Sequence, residues 1–230
     1  MARTSTPRVR KPARAQAFTR KLLAWWARAA RDLPWRRTRD PYRVLVSEFM
    51  LQQTQVSRVA EYYPRFLERF PDLKTLARAR PRAVREAWDG LGYYARASNL
   101  HALARVVSNE HDGTLSDKPE ELIKLPGVGR YTAGAVATFA YEKPVPAVDT
   151  NVARVLRRAF GNVERGMRNA ELWRLASMLV PKNGKRAWKF NQAVMELGAL
   201  ICVARKPKCP ECPVRPVCRT GKSRRTDATS

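Results

Sequence analysis

The sequence is poor in acidic residues. It has 20 Asp and Glu against 45 Lys and Arg, a formal net charge of +25, and no large acidic block offsets the excess of bases. Such a field favours a polyanionic partner. Nucleic acid is the first candidate, while an anionic membrane surface, a ribosomal-type role and a simple bias toward solubility remain alternatives at this level.

Long apolar runs are missing as well. The longest, such as residues 133–140, fall far short of the roughly 20 residues that a membrane-spanning helix needs. The basic stretch 1–20 contains no apolar core of the kind that a secretory signal has. We therefore expect no secretory signal and no membrane partner.

Histidine is scarce, and cysteine is absent before residue 202. His101 and His111 are isolated, so no histidine metal pair is expected. The four cysteines have the spacing C-x6-C-x2-C-x5-C; they are Cys202, Cys209, Cys212 and Cys218. Four thiolates so close in sequence suit a [4Fe–4S] cluster or zinc, whereas two disulfides seldom persist inside a cell. The spacing alone leaves iron–sulfur and zinc open, and such a metal could serve only to stabilise the fold.

Strand-like alternation and internal repeats are not visible. Apolar residues instead recur at helical spacing in stripes, among them Phe18, Leu22 and Trp26; Val59, Tyr63 and Phe66; Leu100, Leu103 and Val107; Val152, Val155 and Leu156; Leu172, Ala176 and Leu179. Short turns separate these stripes, so the sequence predicts an all-α fold of about ten helices. The basic stretches 1–16 and 219–230 are expected to be flexible tails.

Residues 125–129, Leu-Pro-Gly-Val-Gly, join a short amphipathic segment at 119–124 to a second predicted helix, Arg130–Tyr141. Gly127 and Gly129 would let a tight turn present backbone N–H groups at the start of that helix, where a DNA phosphate could bind, with Arg130 beside it. A bare G-x-G is also found in ordinary interhelical turns. The basic helical context favours the DNA interpretation here.

Together these features resemble the helix-hairpin-helix DNA glycosylase superfamily. The runs L-P-G-V-G-R-Y at 125–131 and V-D-T-N-V at 148–152, followed by the cysteine pattern at 202–218, match it in order and separation. The resemblance covers roughly residues 17–218. It implies a [4Fe–4S] cluster rather than zinc, because the cysteine spacing is similar to that of endonuclease III and MutY. It also implies two helical domains: an iron–sulfur domain of residues 17–36 plus 144–218, and a six-helix barrel of residues 37–143 that carries the hairpin.

Narrower motifs resemble the MutY adenine glycosylases: L-P-W-R at 33–36, S-E-F-M-L-Q-Q-T-Q-V at 47–56 and G-L-G-Y-Y-A-R-A-x-N-L at 90–100. This implies a monofunctional glycosylase of base excision repair that removes adenine opposite guanine or 8-oxoguanine. Its partner would be duplex DNA with a mismatched or damaged pair, bound by a monomer in the cytoplasm at the nucleoid. The alternatives are a thymine or uracil mismatch glycosylase and a non-catalytic iron–sulfur DNA-binding module.

The sequence departs from the MutY pattern in two places. MutY members usually carry a further C-terminal domain that helps to recognise 8-oxoguanine, and this sequence stops soon after Cys218. We therefore expect a weaker preference for 8-oxoguanine over guanine. Thr150 stands where a Gly is usual, which we regard as minor.

Two carboxylates are the candidate catalytic pair. Asp149 precedes a helical stripe and suits a helix N-cap; its family position implies the carboxylate that stabilises, or traps covalently, the oxocarbenium-like sugar. Glu48 lies on the apolar stripe of a helix predicted over residues 42 to about 57. Burial there should raise its pKa and make it a general acid for adenine, although a structural Glu paired with an arginine is the alternative.

Other site residues follow from the resemblance. Tyr131 stands where endonuclease III relatives place a lysine nucleophile, and a phenol cannot form a Schiff base. Asn151 would hold Asp149 or the sugar by hydrogen bonding. Gln53 and Tyr94 are the candidate wedges that fill the gap left by a flipped base, with Gln52 and Tyr93 as close rivals and core packing as the alternative for both tyrosines. Trp35 and Arg36 are expected to border the base pocket.

Overall fold

The computed structural model describes residues 12–161 and 166–223. Within these residues the chain contains no β-strand, which confirms the predicted all-α class. The α-helices are α1 Ala13–Ala29, α2 Pro41–Leu51, α3 Val56–Arg69, α4 Leu73–Arg78, α5 Pro81–Ala87, α6 Ala95–Glu110, α7 Pro119–Leu122, α8 Arg130–Tyr141, α9 Thr150–Phe160, α10 Asn169–Leu179, α11 Gly184–Leu200 and α12 Arg219–Ser223. Three 3-10 turns cover Pro34–Arg36, Cys209–Glu211 and Arg215–Val217.

The predicted stripes fall in α1, α3, α6, α9 and α10, and α8 has the bounds that the sequence predicts. The described residues contain a few more helices than expected, because pieces as short as α4, α7 and α12 hold too few residues to show a stripe. No described helix combines the length and the hydropathy that a bilayer-spanning segment needs.

Part of each predicted tail is helical. Helix α1 begins at Ala13, in an alanine-rich segment of high helix propensity. It is held at its start by Arg14, whose Nε donates to Val217 O at 2.8 Å and whose guanidinium lies 5.1 Å from the Phe160 ring centroid. At the other end, α12 is held by Thr220 Oγ1, which donates to Arg158 O at 2.9 Å. Residues 1–11 and 224–230, the remainder of the two tails, lie outside the described residues.

The chain divides into two compact units. The described residues of Met1–Ala30, Asp149–Pro181 and Gln192–Ser230 form unit 1, and those of Arg31–Val148 and Lys182–Asn191 form unit 2. Unit 2 thus takes in residues 31–36, 144–148 and 182–191, which the sequence assigned to the iron–sulfur domain. Trp35 packs edge to face on Tyr63, with ring centroids 5.8 Å apart. Thr138 Oγ1, on α8, donates to Val145 O at 2.8 Å, and Asn191 Nδ2 donates to the same carbonyl at 3.0 Å, so all three segments are held to residues of unit 2.

Each unit has its own core. In unit 2, α2 packs against α3, α6 and α8, so most of its side chains are buried. In unit 1, α9 packs against α10 and α12, and Phe18 of α1 meets Phe160 edge to face at 5.0 Å.

Candidate active site

Glu48 lies on α2, a largely buried helix of unit 2. Helix α2 starts cleanly because Asp40 accepts a hydrogen bond from Arg43 N at 2.8 Å and Pro41 suits the first helical position. The Glu48 side chain is 4% exposed, which confirms the expected burial. The Tyr131 hydroxyl, on α8, donates to Glu48 Oε2 at 2.7 Å. Two candidate catalytic residues 83 positions apart in sequence are therefore in direct contact.

Helix α2 ends earlier than the sequence predicts. It was expected to run to about Ser57, but it stops at Leu51, and α3 begins at Val56. The four residues between form a turn in which Gln53 adopts a left-handed φ of 57° and is exposed, while Gln52 is half-buried. The turn presents Gln53, the first-choice wedge, to solvent in preference to its rival Gln52.

The two tyrosines of the Gly-Tyr-Tyr motif differ in their exposure and in the contacts of their side chains. Tyr93 has a left-handed φ of 46° and is 61% exposed. The Tyr94 hydroxyl instead donates to the Asp89 carboxylate, and the Arg85 guanidinium covers its ring at 4.8 Å from the centroid. This geometry favours Tyr93, the rival, over Tyr94 as the ring that could enter a base stack.

The hairpin turn uses its two glycines differently. Gly127 has a φ of 73°, and a Cβ there would lie 2.7 Å from Asn99 Cβ and 3.0 Å from Phe49 Cε1. Gly129, the N-cap of α8, has ordinary extended backbone, and a Cβ would meet nothing within 4 Å. Gly127 is thus required by the fold, whereas Gly129 leaves open space at the start of α8. Arg130 beside it is exposed.

Asp149 is the N-cap of α9, as the sequence predicted, and belongs to unit 1. Its Oδ1 accepts from Val152 N at 2.6 Å, and its Oδ2 accepts from Asn151 Nδ2 at 3.0 Å. Burial raises the pKa of the Asp149 carboxyl, while these hydrogen bonds and the charge of Arg154 oppose the shift. Asn151 is held in turn by Arg154 Nη2, which donates to its Oδ1 at 2.6 Å. The predicted contact between Asn151 and Asp149 is therefore present.

The four cysteines line one cavity of about 30 Å³ in unit 1, together with Arg158. None forms a disulfide. Burial raises the pKa of the Cys212 thiol to about 11, and the other three cysteines add to this shift. Arg158 Nη1 donates to Cys202 Sγ at 3.5 Å, and Gly221 N donates to Cys218 Sγ at 3.3 Å.

This donor set fits a [4Fe–4S] cluster in its chemistry, because four sulfurs face one space and two of them receive hydrogen bonds that would stabilise thiolates. As the side chains stand, no group of three or more His, Cys, Asp or Glu within residues 12–161 and 166–223 is arranged to hold a metal ion.

Two remaining candidates lie in the 3-10 turn Pro34–Arg36. Trp35 is only 7% exposed and packs on Tyr63, as a core residue does. Arg36 Nη1 donates to Arg31 O at 2.9 Å and is half-buried. Their location at a base pocket stays a prediction.

One residue that the sequence reasoning missed is Arg96. It is 6% exposed and makes hydrogen bonds to both of the turns that carry the wedge candidates. The available signal was its position four residues before Leu100 and seven before Leu103, on the apolar stripe of α6, where an arginine needs internal partners.

An all-α chain whose G-x-G turn opens a helix, with a buried carboxylate beside that helix, has the architecture of the helix-hairpin-helix class. Comparison with known proteins supports this assignment. Residues 46–178 match the model of the HhH-GPD superfamily of base excision DNA repair proteins. The chain belongs to this family.

Individual relatives point in the same direction. The chain is similar to an adenine DNA glycosylase of Mycolicibacterium smegmatis, with 46% identity over 84% of this chain and 66% of the relative. Among solved structures, it is similar to a thermostable thymine-DNA glycosylase, with a TM-score of 0.85 and 33% identity over 91% of this chain and 97% of that one. An endonuclease III trapped covalently on DNA gives a TM-score of 0.78 and 25% identity over 94% and 100%.

The chain spans between 40% and 66% of the length of the adenine glycosylases that it matches in mycobacteria and mammals. The resemblance to MutY within the helix-hairpin-helix glycosylases, read from the motifs, is confirmed by these matches.

Proposed function

We propose that this chain is a monofunctional DNA N-glycosylase of base excision repair that removes adenine mispaired with guanine or 8-oxoguanine. The observation that carries the proposal is the buried Glu48 carboxyl, oriented by the Tyr131 hydroxyl at the helix that follows the hairpin turn. The 46% identity to a named adenine DNA glycosylase supports the choice of base.

Glu48 acts as the general acid. Adenine is a poor leaving group unless a ring nitrogen is protonated, so the proton goes from the Glu48 carboxyl to the base as the bond between the base and C1′ of the sugar breaks. The electron pair of that bond leaves with adenine. The hydrogen bond from Tyr131 fixes Glu48 Oε2 and thereby limits the orientations of the carboxyl.

Asp149 acts on the sugar. Loss of the base leaves an oxocarbenium-like cation, which the ionised Asp149 stabilises by its charge until water adds at C1′ and releases a proton. Asn151 and Val152 N hold both carboxylate oxygens in place. Tyr131 offers no amine for a Schiff base, so the DNA strand remains intact after the base has left.

DNA binding follows from the charge of +25 and from the hairpin, where exposed Arg130 and the open space at Gly129 suit the approach of a phosphate. The solved relative trapped on DNA is a further reason for this part of the proposal.

Cys202, Cys209, Cys212 and Cys218 would hold a [4Fe–4S] cluster. With four protein ligands the cluster has no open position for substrate, and it would supply structural stability to unit 1 rather than a chemical step. Protein made with iron present should contain about four iron atoms per chain. Removal of iron by a chelator under oxidising conditions should lower the melting temperature. Stoichiometric zinc without iron would contradict the assignment.

The runner-up is a thymine or uracil mismatch glycosylase, favoured by the TM-score of 0.85 to a thymine-DNA glycosylase that this chain covers almost fully. Thymine can leave as an anion held by hydrogen bonds, so its removal depends less on an acid such as Glu48. The two candidates therefore differ in their response to loss of that carboxyl.

A panel of duplexes containing A:G, A:8-oxoguanine, T:G and U:G tests the proposal. Wild-type protein should excise adenine and leave the strand uncut until alkali is added. Glu48→Gln should lower the single-turnover rate by about 10³-fold or more, roughly 4 kcal/mol of transition-state stabilisation, with DNA affinity nearly unchanged. Glu110→Gln, on an exposed position of α6, is the matched control and should retain the wild-type rate. Excision of thymine or uracil with adenine untouched would establish the runner-up.

A further inference from the structure

We infer that Arg96 is a positioning residue for base extrusion: its guanidinium fixes the turns that carry Gln53 and Tyr93 relative to each other and to the end of the helix that bears Glu48. The inference rests on the proposed function. The two turns, residues 52–55 and residues 90–94, are called here the wedge turns.

One side of the guanidinium holds α2 and the first wedge turn. Arg96 Nη1 donates to Phe49 O at 3.0 Å, to Met50 O at 2.7 Å and also to Gln52 O. These carbonyls lie at the C-terminal end of α2, where a cation is favourable to the helix dipole. Helix α2 stops at Leu51, and the carbonyls of Phe49 and Met50 in its last turn are both directed to this one side chain.

The other side of the guanidinium bonds to the second wedge turn and also to Thr54 of the first. Arg96 Nη2 donates to Leu91 O at 3.1 Å, to Gly92 O at 3.0 Å and to Thr54 Oγ1 at 3.0 Å. Its Nε makes a longer bond of 3.4 Å to Tyr93 O. A single buried cation therefore bonds to backbone within one residue of Gln53 on one side and to Tyr93 itself on the other.

Only arginine can make this set of contacts. Its planar guanidinium presents five N–H donors in a fixed fork, whereas a lysine ammonium offers three on a flexible stem. Arg96→Lys keeps the charge in place but cannot span two turns at once. The substitution therefore separates the geometry of the guanidinium from its charge.

The backbone of the wedge turns explains why such a contact is needed. Gln53 and Tyr93 both have left-handed φ values, 57° and 46°, and neither is glycine. Such backbone is strained for a residue with a Cβ and persists only where its surroundings hold it. With Arg96 in place, the two exposed side chains are set before DNA arrives, so the protein does not have to order them while it opens a base pair.

A purely structural arginine would affect every substrate equally. A positioning role in extrusion predicts a loss that depends on how firmly the target base is stacked, because a base in a melted site costs less to extrude than one in an intact duplex. The experiment must therefore compare the same variant on stacked and premelted sites.

The test uses the full chain carrying Glu48→Gln, with 2-aminopurine in place of the target adenine opposite guanine. Its fluorescence rises when the base leaves the stack, so extrusion is read without excision. Adding Arg96→Lys should slow the rise by about tenfold or more on a normally paired duplex, as expected for the loss of several hydrogen bonds from a charged donor. The apparent Kd for DNA should change less than the rate does.

On a duplex whose neighbouring pairs are mismatched and melted, the same variant should approach the rate of its parent. Arg105→Lys, exposed on the same helix α6, is the matched control and should match its parent on both duplexes. Equal slowing on both duplexes, or none on either, would overturn the inference. If Arg96→Lys fails to fold, Thr54→Val removes one acceptor of the guanidinium, and a smaller loss with the same dependence on duplex melting is expected.

Failure of the inference and failure of the proposed function give different results. If the wild-type chain excises no adenine while 2-aminopurine extrusion depends on Arg96 as described, the proposed base is wrong and the positioning role stands. If adenine is excised but extrusion is insensitive to Arg96→Lys, the function stands and the inference fails.

Discussion

The carboxylate of Asp149 combines a structural task with the proposed catalytic one. Capping α9 requires an acceptor at Val152 N, and stabilising a sugar cation requires an ionised group that little water can screen. Burial raises the pKa of this carboxyl above its usual value, and the hydrogen bonds from Val152 and Asn151 only partly offset it. The ionised form is therefore maintained at some expense in folding free energy.

The raised pKa of the Asp149 carboxyl predicts how the free energy of unfolding depends on pH. A carboxyl whose folded-state pKa is raised contributes stability below its unfolded pKa and loses that contribution as pH rises through the folded pKa. Asp149→Asn removes the titration but retains a residue that caps well. The unfolding free energy of the wild type minus that of Asp149→Asn should increase as pH falls through the raised folded-state pKa, and it should reach its full value, about 1.4 kcal/mol per unit of pKa shift, only below the unfolded pKa of about 3.9. Urea unfolding at each pH measures it, and a difference that shrinks on acidification would contradict the assigned direction.

At the level of elements, the two glycines of the hairpin turn have different roles. Gly127 supplies a left-handed φ and room against Asn99 and Phe49, whereas Gly129 is in ordinary backbone with nothing near its missing Cβ. The first glycine is needed by the folded chain itself, and the second leaves open the surface that we propose meets a phosphate.

Alanine at each position separates these tasks. Gly127→Ala should lower the free energy of unfolding by about 1–3 kcal/mol, from the φ strain and the close contact at 2.7 Å. Gly129→Ala should stay within about 0.5 kcal/mol of wild type in stability yet weaken DNA binding, because the new methyl group occupies the approach to α8. Thermal or urea unfolding and a DNA titration of both variants check this. If Gly129→Ala binds DNA with wild-type affinity, no phosphate approaches the chain at Gly129.

The elements also show how far the sequence alone could go. Helix α8 was predicted to its terminal residues because Gly129 and the following apolar run mark it locally. The end of α2 was not predicted correctly, because residues 52–55 contain neither Gly nor Pro. The turn is held instead by Arg96, more than 40 positions away. Likewise the contact between Tyr131 and Glu48 depends on the packing of α2 against α8, which no local pattern encodes. Position on a stripe predicted that Glu48 is buried, but only the fold could identify its partner.

Across the whole molecule, the excess of bases has no internal counterpart. Several described arginines do pair, such as Arg82 with Glu86 at 3.0 Å, but 45 basic residues cannot be matched by 20 acidic ones. Exposed ion pairs of this kind add little to the stability of the fold. A polyanionic partner therefore explains the surplus of positive charge better than a role in folding does.

Binding to DNA should weaken steeply as the salt concentration rises. The slope of log K against log salt should be about −3 or steeper, because each phosphate contact contributes roughly −0.9 through counterion release. Arg130→Gln, beside the hairpin turn, should make the slope less negative by about 0.9 and weaken binding to matched and mismatched duplexes alike. Arg82→Gln removes the same charge from an exposed site on α5 that is already paired with Glu86, and it should leave the slope nearly unchanged. Equal slopes for wild type and both variants would mean that the hairpin makes no phosphate contact, and a flat dependence in the wild type would remove the charge argument for DNA altogether.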